Sequence, residues 1–210
     1  MLKPKFILLL FLAVFGFAWF RSPGFWNKNS TLLLGPEYSI STASLLKAKQ
    51  KAKEAKSFVS KNSYNNDQCF LVDMSLSSGQ ERFFVYNFEK DTIINSGLVT
   101  HGRCNQDWLE GRKYGNTVGC GCTSLGKYKI GYSYSGRFGL AFKLYGLDKT
   151  NDKAFQRYVV LHGHSCVPET KIEDEICQSD GCPTVSPLFL QYLKPIINES
   201  KKPVLLWIYE

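Results

Sequence analysis

The chain has 210 residues, of which 44% are hydrophobic and 21% are charged. This composition is typical of a folded globular protein and excludes a disordered or low-complexity chain. The length fits one domain with a sizeable core and a short leader. The net charge of +8 favours anionic partners. Nucleic acid is not an expected one, because no base-reading motif is present and the leader described next takes the chain out of the cytoplasm.

Residues 1–20 are predicted to be a signal peptide or a membrane anchor. Lys3 and Lys5 give the segment a positive start, and an uninterrupted apolar run of 15 residues extends from Phe6 to Phe20. That length suits a signal-peptide core and is short for a membrane-spanning helix. No clean cleavage site follows, so cleavage and retention as an anchor both stay open. We therefore expect an exported protein.

Residues 21–64 are predicted to be a linker followed by a basic helix. A helix is expected over 42–62, with Ser41 or Thr42 as its cap. An apolar face is supplied by Ala43, Leu45, Leu46, Ala48, Ala52, Ala55, Phe58 and Val59. The remaining surface is crowded by Lys47, Lys49, Lys51, Lys53 and Lys56. This surface is either a solvated face or one that anionic lipid or wall polymer attracts.

From residue 65 to residue 210 the pattern predicts a mostly β domain, because short apolar or alternating runs are separated by Gly-rich turns. The expected strands are Cys69–Leu76, Arg82–Phe88, Asp91–Val99, Thr123–Lys129, Tyr132–Gly136, Leu140–Tyr145, Tyr158–Leu161 and Pro203–Tyr209. A helix is expected over Pro187–Ile197, with Ser186 as its cap and proline at its first position.

The seven cysteines indicate disulfides, since an exported chain folds in an oxidising compartment. An odd number leaves one thiol free. Cys166 and Cys177 can tie down one loop, and Cys104 can pair with Cys120 or with Cys122 across another. The sequence leaves the connectivity open.

The segment from Tyr158 to Pro187 contains a candidate nucleophile and a candidate base. His162 stands at the end of an apolar strand, and Cys182 lies in the turn Ser179-Asp180-Gly181-Cys182-Pro183. A thiol attacks as its thiolate, and a nearby imidazole lowers the thiol pKa by forming an ion pair. Gly181 leaves the backbone open, so that N–H groups around the cysteine can face an oxyanion. Ser179 can hydrogen-bond within the turn.

The whole segment resembles the murein L,D-transpeptidase catalytic domain, in particular the branch whose nucleophile motif is S-x-G-C-P. The matching residues are Val159-Val160-Leu161-His162-Gly163 and Ser179-Asp180-Gly181-Cys182-Pro183. Upstream, the resemblance rests on Asp73, Ser77-Ser78-Gly79, Arg82, Val99-Thr100-His101-Gly102, Thr123-Ser124-Leu125-Gly126 and Tyr145-Gly146-Leu147. The best-studied branch has histidine where this chain has Asp180, which removes any role of that histidine. The resemblance covers about residues 65 to 210.

The resemblance implies a small mixed β-sandwich or barrel-like fold with one or two helices, on the outer side of a bacterial inner membrane. It implies Cys182 as the nucleophile, His162 as the base with His164 as the alternative base, and Gly181 and Ser179 in the catalytic turn. The expected reaction releases terminal D-Ala from a peptidoglycan stem peptide through a thioester. Transfer to an amine then forms a 3-3 cross-link. Substrate contacts are expected from His101, Tyr145, Arg137 and Arg157.

Other interpretations stay open. Water as acceptor makes the same site an L,D-carboxypeptidase. A zinc site can be drawn from His162, His164, Cys166, Cys177 and Cys182, although their spacing matches no C-x-x-C finger. A wall-binding protein without catalysis, held together by zinc or disulfides, is a further class. For the transpeptidase no metal or organic cofactor is expected, and we expect a monomer that contacts the cell wall or membrane surface.

Overall fold

The computed structural model describes residues 41–210. The predicted leader, residues 1–20, and residues 21–40 of the predicted linker lie outside the described residues. Within residues 41–210 no helix is long and apolar enough to span a membrane.

The described chain folds into one eight-stranded sheet and two helices, in the strand order β3-β2-β1-β8-β4-β5-β6-β7. The helices are α1 (Thr42–Lys61) and α2 (Pro187–Asn198). The strands are β1 (Gln68–Asp73), β2 (Phe83–Asn87), β3 (Thr92–Gly97), β4 (Gly126–Gly136), β5 (Gly139–Gly146), β6 (Val160–Gly163), β7 (Thr184–Val185) and β8 (Leu205–Tyr209). The prediction of a mostly β fold with two helices is confirmed.

The two faces of the sheet bury different side chains, because successive residues of a strand point to opposite sides. In β1, Phe70 and Val72 pack in one core with α2, whereas Cys69 and Leu71 pack in another with α1. Both faces of the central strand are therefore covered, and burial of this apolar surface is the main stabilising contribution. The predicted apolar face of α1 is wrong at Leu46, which is 64% exposed.

Each helix is capped by a serine: Ser41, one of the two candidates for α1, and Ser186, the residue predicted for α2. The hydroxyl of Ser41 accepts from the backbone N–H of Ser44 at 3.1 Å. Ser186 caps α2 in the same way, by accepting from the N–H of Phe189 at 3.2 Å. These side chains satisfy backbone donors that the first helical turn leaves free. The Ser186 cap also fixes where the chain turns after β7.

Parallel pairing of β6 with β7 brings distant parts of the chain together at one edge of the sheet. Register pairs His162 with Thr184, two residues after Cys182. Strand β7 was not predicted, because a strand of two residues has no detectable periodicity. Strand β6 begins later than the predicted start at Tyr158, which has a φ of +56° and is 85% exposed. A left-handed residue breaks the extended conformation, so the strand starts at Val160.

The predicted strands Thr123–Lys129 and Tyr132–Gly136 are one continuous strand, β4. An irregularity in its pairing with β5 falls between Ile130 and Ser133. The glycine at position 131 in this stretch made the sequence look interrupted, whereas the chain stays extended through it. A β-bulge of this kind redirects side chains without ending a strand.

Candidate active site

Cys182 and His162 line one cavity of about 200 Å³ at the β6–β7 edge of the sheet. The other lining residues are Thr100, Arg103, Phe138, His164, Cys166, Gln178, Ser179, Asp180 and Thr184. Strand β6 carries the histidine and the loop before β7 carries the cysteine. The fold therefore brings together the two residues that the sequence motif pairs.

The cysteine lies in a turn that is hydrogen-bonded across itself. The Ser179 hydroxyl donates to the Cys182 carbonyl at 2.7 Å and accepts from the Gly181 N–H at 3.2 Å. Gly181 has a φ of +104°, and an added Cβ would lie 2.6 Å from the carbonyl oxygen of Cys122. Only glycine fits this position, because a side chain would meet both backbone strain and a steric clash.

The turn is also fixed to the segment after β3. The Ser179 N–H donates to the His101 carbonyl at 2.9 Å, and the Arg103 N–H donates to the Ser179 carbonyl at 2.8 Å. The Thr100 hydroxyl donates to the Cys182 carbonyl at 3.2 Å. Because these bonds hold both sides of the turn, the backbone at the cysteine is positioned before any substrate arrives.

The His162 ring is held in one orientation and stays neutral near pH 7. Its Nδ1 donates to the Gly163 carbonyl at 3.1 Å, so Nε2 is the acceptor and receives the Thr184 hydroxyl at 3.0 Å. One face stacks on Phe138 with ring centroids 5.0 Å apart. The side chain is buried, and this burial lowers the pKa of His162 against the opposing hydrogen bond to Gly163. A neutral imidazole whose Nε2 is a hydrogen-bond acceptor can take up a proton.

The thiol of Cys182 is protonated in this arrangement. Burial raises its pKa, against a hydrogen bond from the Val160 N–H and the positive charge of Arg157. The sulfur lies 3.9 Å from the carbonyl oxygen of Tyr158, as a weak donor. The expectation that the imidazole lowers the thiol pKa through an ion pair is wrong for this state, because burial disfavours the thiolate and His162 is neutral.

The alternative base, His164, lines the same cavity. Its Nδ1 accepts from the Cys166 N–H at 3.1 Å, and its ring meets Phe138 edge-on at 5.4 Å. The His164 ring is therefore hydrogen-bonded within the turn that follows β6. His162, in contrast, lies in β6 itself, beside β7.

His101 and Tyr145, two predicted substrate contacts, do not line the cavity. His101 is 1% exposed, and its Nδ1 accepts from Arg82 at 3.3 Å. Burial and the charges of Arg112 and Arg82 lower the pKa of His101 to about 4. Tyr145 stacks on Phe155 at 5.2 Å. His101 reaches the site only through its backbone carbonyl.

The two arginines that were predicted to contact substrate, Arg157 and Arg137, lie in different surroundings. Arg157 donates from Nη1 to the Gly115 carbonyl at 2.9 Å and to the Ser124 hydroxyl at 2.8 Å, and from Nη2 to the Cys122 carbonyl. Its guanidinium is thus occupied in holding the loop that contacts Gly181, next to Cys182. Arg137 is exposed and lies 5.4 Å from the ring of Phe138, at the rim of the site.

Three residues of the site were missed from the sequence: Thr184, Phe138 and Arg103. Thr184 directly follows Cys182-Pro183, yet its contact with His162 arises from β-sheet register, which no local pattern specifies. Phe138 reaches the site from the tip of the β4–β5 hairpin. Arg103 lines the cavity and pairs with Asp180 at 2.8 Å.

Two disulfides frame the site, Cys104–Cys122 and Cys166–Cys177. Both agree with pairings that the sequence left open. Three thiols are free, at Cys69, Cys120 and Cys182, rather than the one expected from an odd count. Cys69 is buried on the α1 face, where burial raises its pKa.

The zinc alternative loses two of its ligands to the Cys166–Cys177 disulfide. Within residues 41–210 no group of three or more His, Cys, Asp or Glu side chains is arranged to hold a metal ion.

A neutral histidine and a thiol that share a cavity at the edge of a mostly β sheet define a site of the thiol–imidazole type. A sequence model described as the L,D-transpeptidase catalytic domain matches residues 40–209. The chain belongs to this family, which comprises enzymes that modify the peptidoglycan of the cell wall. A location in the cell envelope is consistent with that activity. Comparison with curated proteins finds no match.

Comparison with solved structures finds L,D-transpeptidases and a cell-shape protein at low sequence identity. The L,D-transpeptidase from Xylanimonas cellulosilytica is 15% identical, with a TM-score of 0.39 over 68% of this chain and 60% of that one. The enzyme from Mycobacterium smegmatis is 9% identical, with a TM-score of 0.40 over 69% and 59%. A variant of the helical cell shape determining protein Pgp2 from Campylobacter jejuni is 15% identical, with a TM-score of 0.43 over 81% and 57%. The alignments thus span less than two thirds of each of these chains.

Proposed function

We propose that this chain is a cysteine-dependent L,D-transpeptidase that acts on peptidoglycan stem peptides, with Cys182 as the nucleophile and His162 as the base. The observation that carries the proposal is the shared cavity of the thiol and a neutral imidazole whose Nδ1 is bound to the Gly163 carbonyl. This bond leaves Nε2 as the proton acceptor. Family membership supplies the substrate class.

Acylation begins when His162 Nε2 takes the thiol proton. The Thr184 hydroxyl occupies Nε2 in the resting state, and it has a second acceptor in the Cys182 carbonyl at 3.4 Å. Rotation of this hydroxyl frees the imidazole. The sulfur then attacks the carbonyl carbon of the bond before terminal D-Ala. The C–N bond breaks, the imidazolium returns its proton to the leaving amine, and a thioester remains on Cys182.

The oxyanion formed during attack needs backbone donors. The motif in the sequence suggests the N–H groups of Gly181 and Cys182 for this role. The Gly181 N–H already donates to the Ser179 hydroxyl at 3.2 Å. The Cys182 N–H donates to no residue among 41–210 and is the donor that we propose for the oxyanion. Ser179 then acts as a positioning residue for the turn.

The acceptor decides the product. An amine from a second stem, deprotonated by His162, attacks the thioester and gives the 3-3 cross-link, whereas water gives an L,D-carboxypeptidase. Both outcomes use the same acyl-enzyme. We propose an exported, periplasmic protein, with residues 1–20 as signal peptide or anchor and the basic helix near the membrane or wall surface.

Arg103 is the cation that we propose to hold a stem-peptide carboxylate. It is the arginine that lines the cavity, and its partner Asp180 is exposed. An exposed ion pair is weak, so a substrate carboxylate can displace Asp180. Arg103→Gln is expected to raise KM about fivefold to tenfold, equivalent to about 1 kcal/mol or slightly more, with kcat nearly unchanged.

The matched variant for this prediction is Asp180→Asn, which leaves Arg103 without its competitor. Its KM is expected to stay the same or fall. Steady-state release of D-Ala from a soluble stem tetrapeptide measures both variants. An unchanged KM in Arg103→Gln would remove Arg103 from substrate binding.

The pH dependence follows from the two shifted pKa values. Because burial lowers the pKa of His162, kcat/KM is expected to fall on the acid side with a midpoint below its ordinary value of about 6.5. Because burial raises the pKa of the Cys182 thiol, alkylation of the resting enzyme by iodoacetamide should still increase above pH 9. A kcat/KM that follows the alkylation profile would mean that thiolate forms without the base.

The experiment that tests the proposal is intact mass spectrometry of the full chain with and without a carbapenem. A single adduct, mapped by peptide digestion to Cys182, is expected for the wild type. His162→Asn should form the adduct about 10² to 10⁴ times more slowly, the range for loss of a general base. Absence of an adduct on the folded wild-type protein, or an adduct on Cys120, would contradict the proposed site.

A further inference from the structure

A second cleft, of about 410 Å³, opens beside β4, where the segment joining α2 to β8 approaches that strand. It is larger than the cavity that holds Cys182 and His162, and the two share no lining residue. Its lining includes Lys129, Lys201 and Lys202, and we call it the lysine cleft. The proposed transpeptidase mechanism makes no use of it.

The charged side chains that line the lysine cleft are all lysines, and the exposed Glu199 lies between its lining residues Asn198 and Ser200. Neither aspartate nor glutamate lines it. Within the described part of the chain, none of the three lysines forms a salt bridge. The nearby end of α2 at Asn198 contributes a partial negative charge, which is smaller than one ammonium group. Three unpaired ammonium groups around one concave surface indicate an anionic ligand.

The position of Lys129 is fixed by the packing below it. Its ammonium lies 4.8 Å from the centre of the Tyr145 ring, which stacks on Phe155 at 5.2 Å. Gly131 makes room for that ring, because an added Cβ would lie 2.5 Å from it. Tyr145 therefore holds the charge of Lys129 toward the cleft by a cation–π contact.

Tyr132 supplies an aromatic surface in the same cleft. The β-bulge between Ile130 and Ser133 redirects this residue, and Tyr132 is 89% exposed. So large an exposed aromatic ring is unusual. Because β-bulges commonly redirect a side chain toward a binding site, the exposure of Tyr132 indicates a ligand. An exposed tyrosine offers an apolar face together with a polar hydroxyl, which suits the C–H face and hydroxyls of a sugar ring.

The opposite wall is held rigidly. Asn65 donates from its amide side chain to the Ser200 hydroxyl at 2.7 Å, and its backbone N–H donates to the Pro203 carbonyl at 2.9 Å. The Ile130 N–H donates to the Val204 carbonyl at 3.2 Å. The loop that carries Lys201 and Lys202 is thus anchored at both ends, so the cleft exists before a ligand binds.

We propose that the lysine cleft binds an acidic saccharide, a sugar chain that carries carboxylate or phosphate groups. Lys129, Lys201 and Lys202 neutralise the acidic groups, and Tyr132 stacks on a sugar ring. This site lies outside the catalytic cavity and binds its ligand without covalent chemistry. The proposal does not depend on the proposed function.

Isothermal titration calorimetry of the full chain in its Cys182→Ala form tests the site at low salt. The probes are tetragalacturonate, phosphorylated maltotriose, neutral maltotetraose and tripolyphosphate. One or both acidic saccharides should bind, and which of them binds identifies the acidic group. Maltotetraose should not bind measurably. Failure of both acidic saccharides, or tripolyphosphate binding as tightly as the better one, would overturn the proposal.

Variants locate the binding in the cleft. The double change Lys201→Met and Lys202→Met should raise Kd about tenfold, and Tyr132→Ser about fivefold. Lys53→Met with Lys90→Met is the matched control, because it removes the same charge from exposed positions on α1 and in the β2–β3 turn, neither of which lines the cleft. An equal loss in the control would show attraction by net charge alone and would overturn the site. Carbapenem acylation of the same variants in the Cys182 background separates this result from failure of the catalytic proposal.

Discussion

Replacement of Cys182 by alanine is expected to abolish release of D-Ala from a soluble stem tetrapeptide, with a loss of at least about 10³-fold in kcat. The bond that must form is a thioester, and no other free thiol lines the cavity. Cys182→Ser should be nearly as inactive, because a hydroxyl gives up its proton far less readily than a thiol. Chromatography with mass detection of the muropeptides measures both variants.

The folded state should survive this change. The thiol receives a hydrogen bond from the Val160 N–H and makes a weak contact with the Tyr158 carbonyl. Loss of these contacts should shift the unfolding midpoint by only a few degrees. Cys120→Ala is the matched control, since it removes another partly exposed free thiol, and it should keep its turnover. Retained turnover in Cys182→Ala would exclude the thioester mechanism.

Replacement of Arg82 by methionine is expected to lower the free energy of unfolding by about 3 kcal/mol. Arg82 is 0% exposed, and burial is the main reason that its pKa is lowered to about 9. Its Nε and Nη2 donate to the Val99 carbonyl at 3.0 and 2.7 Å, and Nη1 donates to the Leu76 carbonyl at 3.0 Å. Methionine fills much of the volume but leaves the buried Val99 carbonyl without a donor, whereas the Leu76 carbonyl keeps only its longer bond from Arg112 at 3.3 Å.

Thermal unfolding followed by circular dichroism measures this loss, which corresponds to a midpoint lower by roughly 6–12 °C for a chain of this size. Arg137→Met serves as the control, because Arg137 is exposed and lies over one ring. It should shift the midpoint by about a degree or less. An Arg82→Met midpoint equal to that of the control would mean that the cost of burying the charge cancels the hydrogen bonds.

Replacement of Arg82 is also expected to disturb the active site, because Arg82 holds backbone that contacts the turn containing Cys182. Val99 pairs with Val185 of β7, and the next residue, Thr100, bonds to the Cys182 carbonyl. The buried arginine thus fixes the segment that the turn containing Cys182 packs against. The sequence resemblance included Arg82 and the His101 strand end without indicating this role. The structure assigns it to packing beneath the site rather than to contact with substrate.

The sequence by itself indicated the kinds of element and the two residues that we propose as nucleophile and base. Apolar alternation and Gly-rich turns indicated a mostly β chain, because side chains alternate between two faces of a strand. Ser186 followed by Pro187 marked the start of α2, because both residues suit the first turn of a helix. The Ser179-x-Gly181-Cys182 turn and the strand ending in His162 were recognisable because they are local in the chain.

Only the tertiary structure decided which other residues lie beside Cys182 and His162. Thr184 meets His162 through the parallel register of β6 and β7, and Phe138 arrives from a hairpin tip. Arg157 was expected to touch substrate, yet it binds loop carbonyls. The pKa of the Cys182 thiol also reversed its expected direction. Burial and register are properties of segments far apart in sequence, so no local pattern contains them.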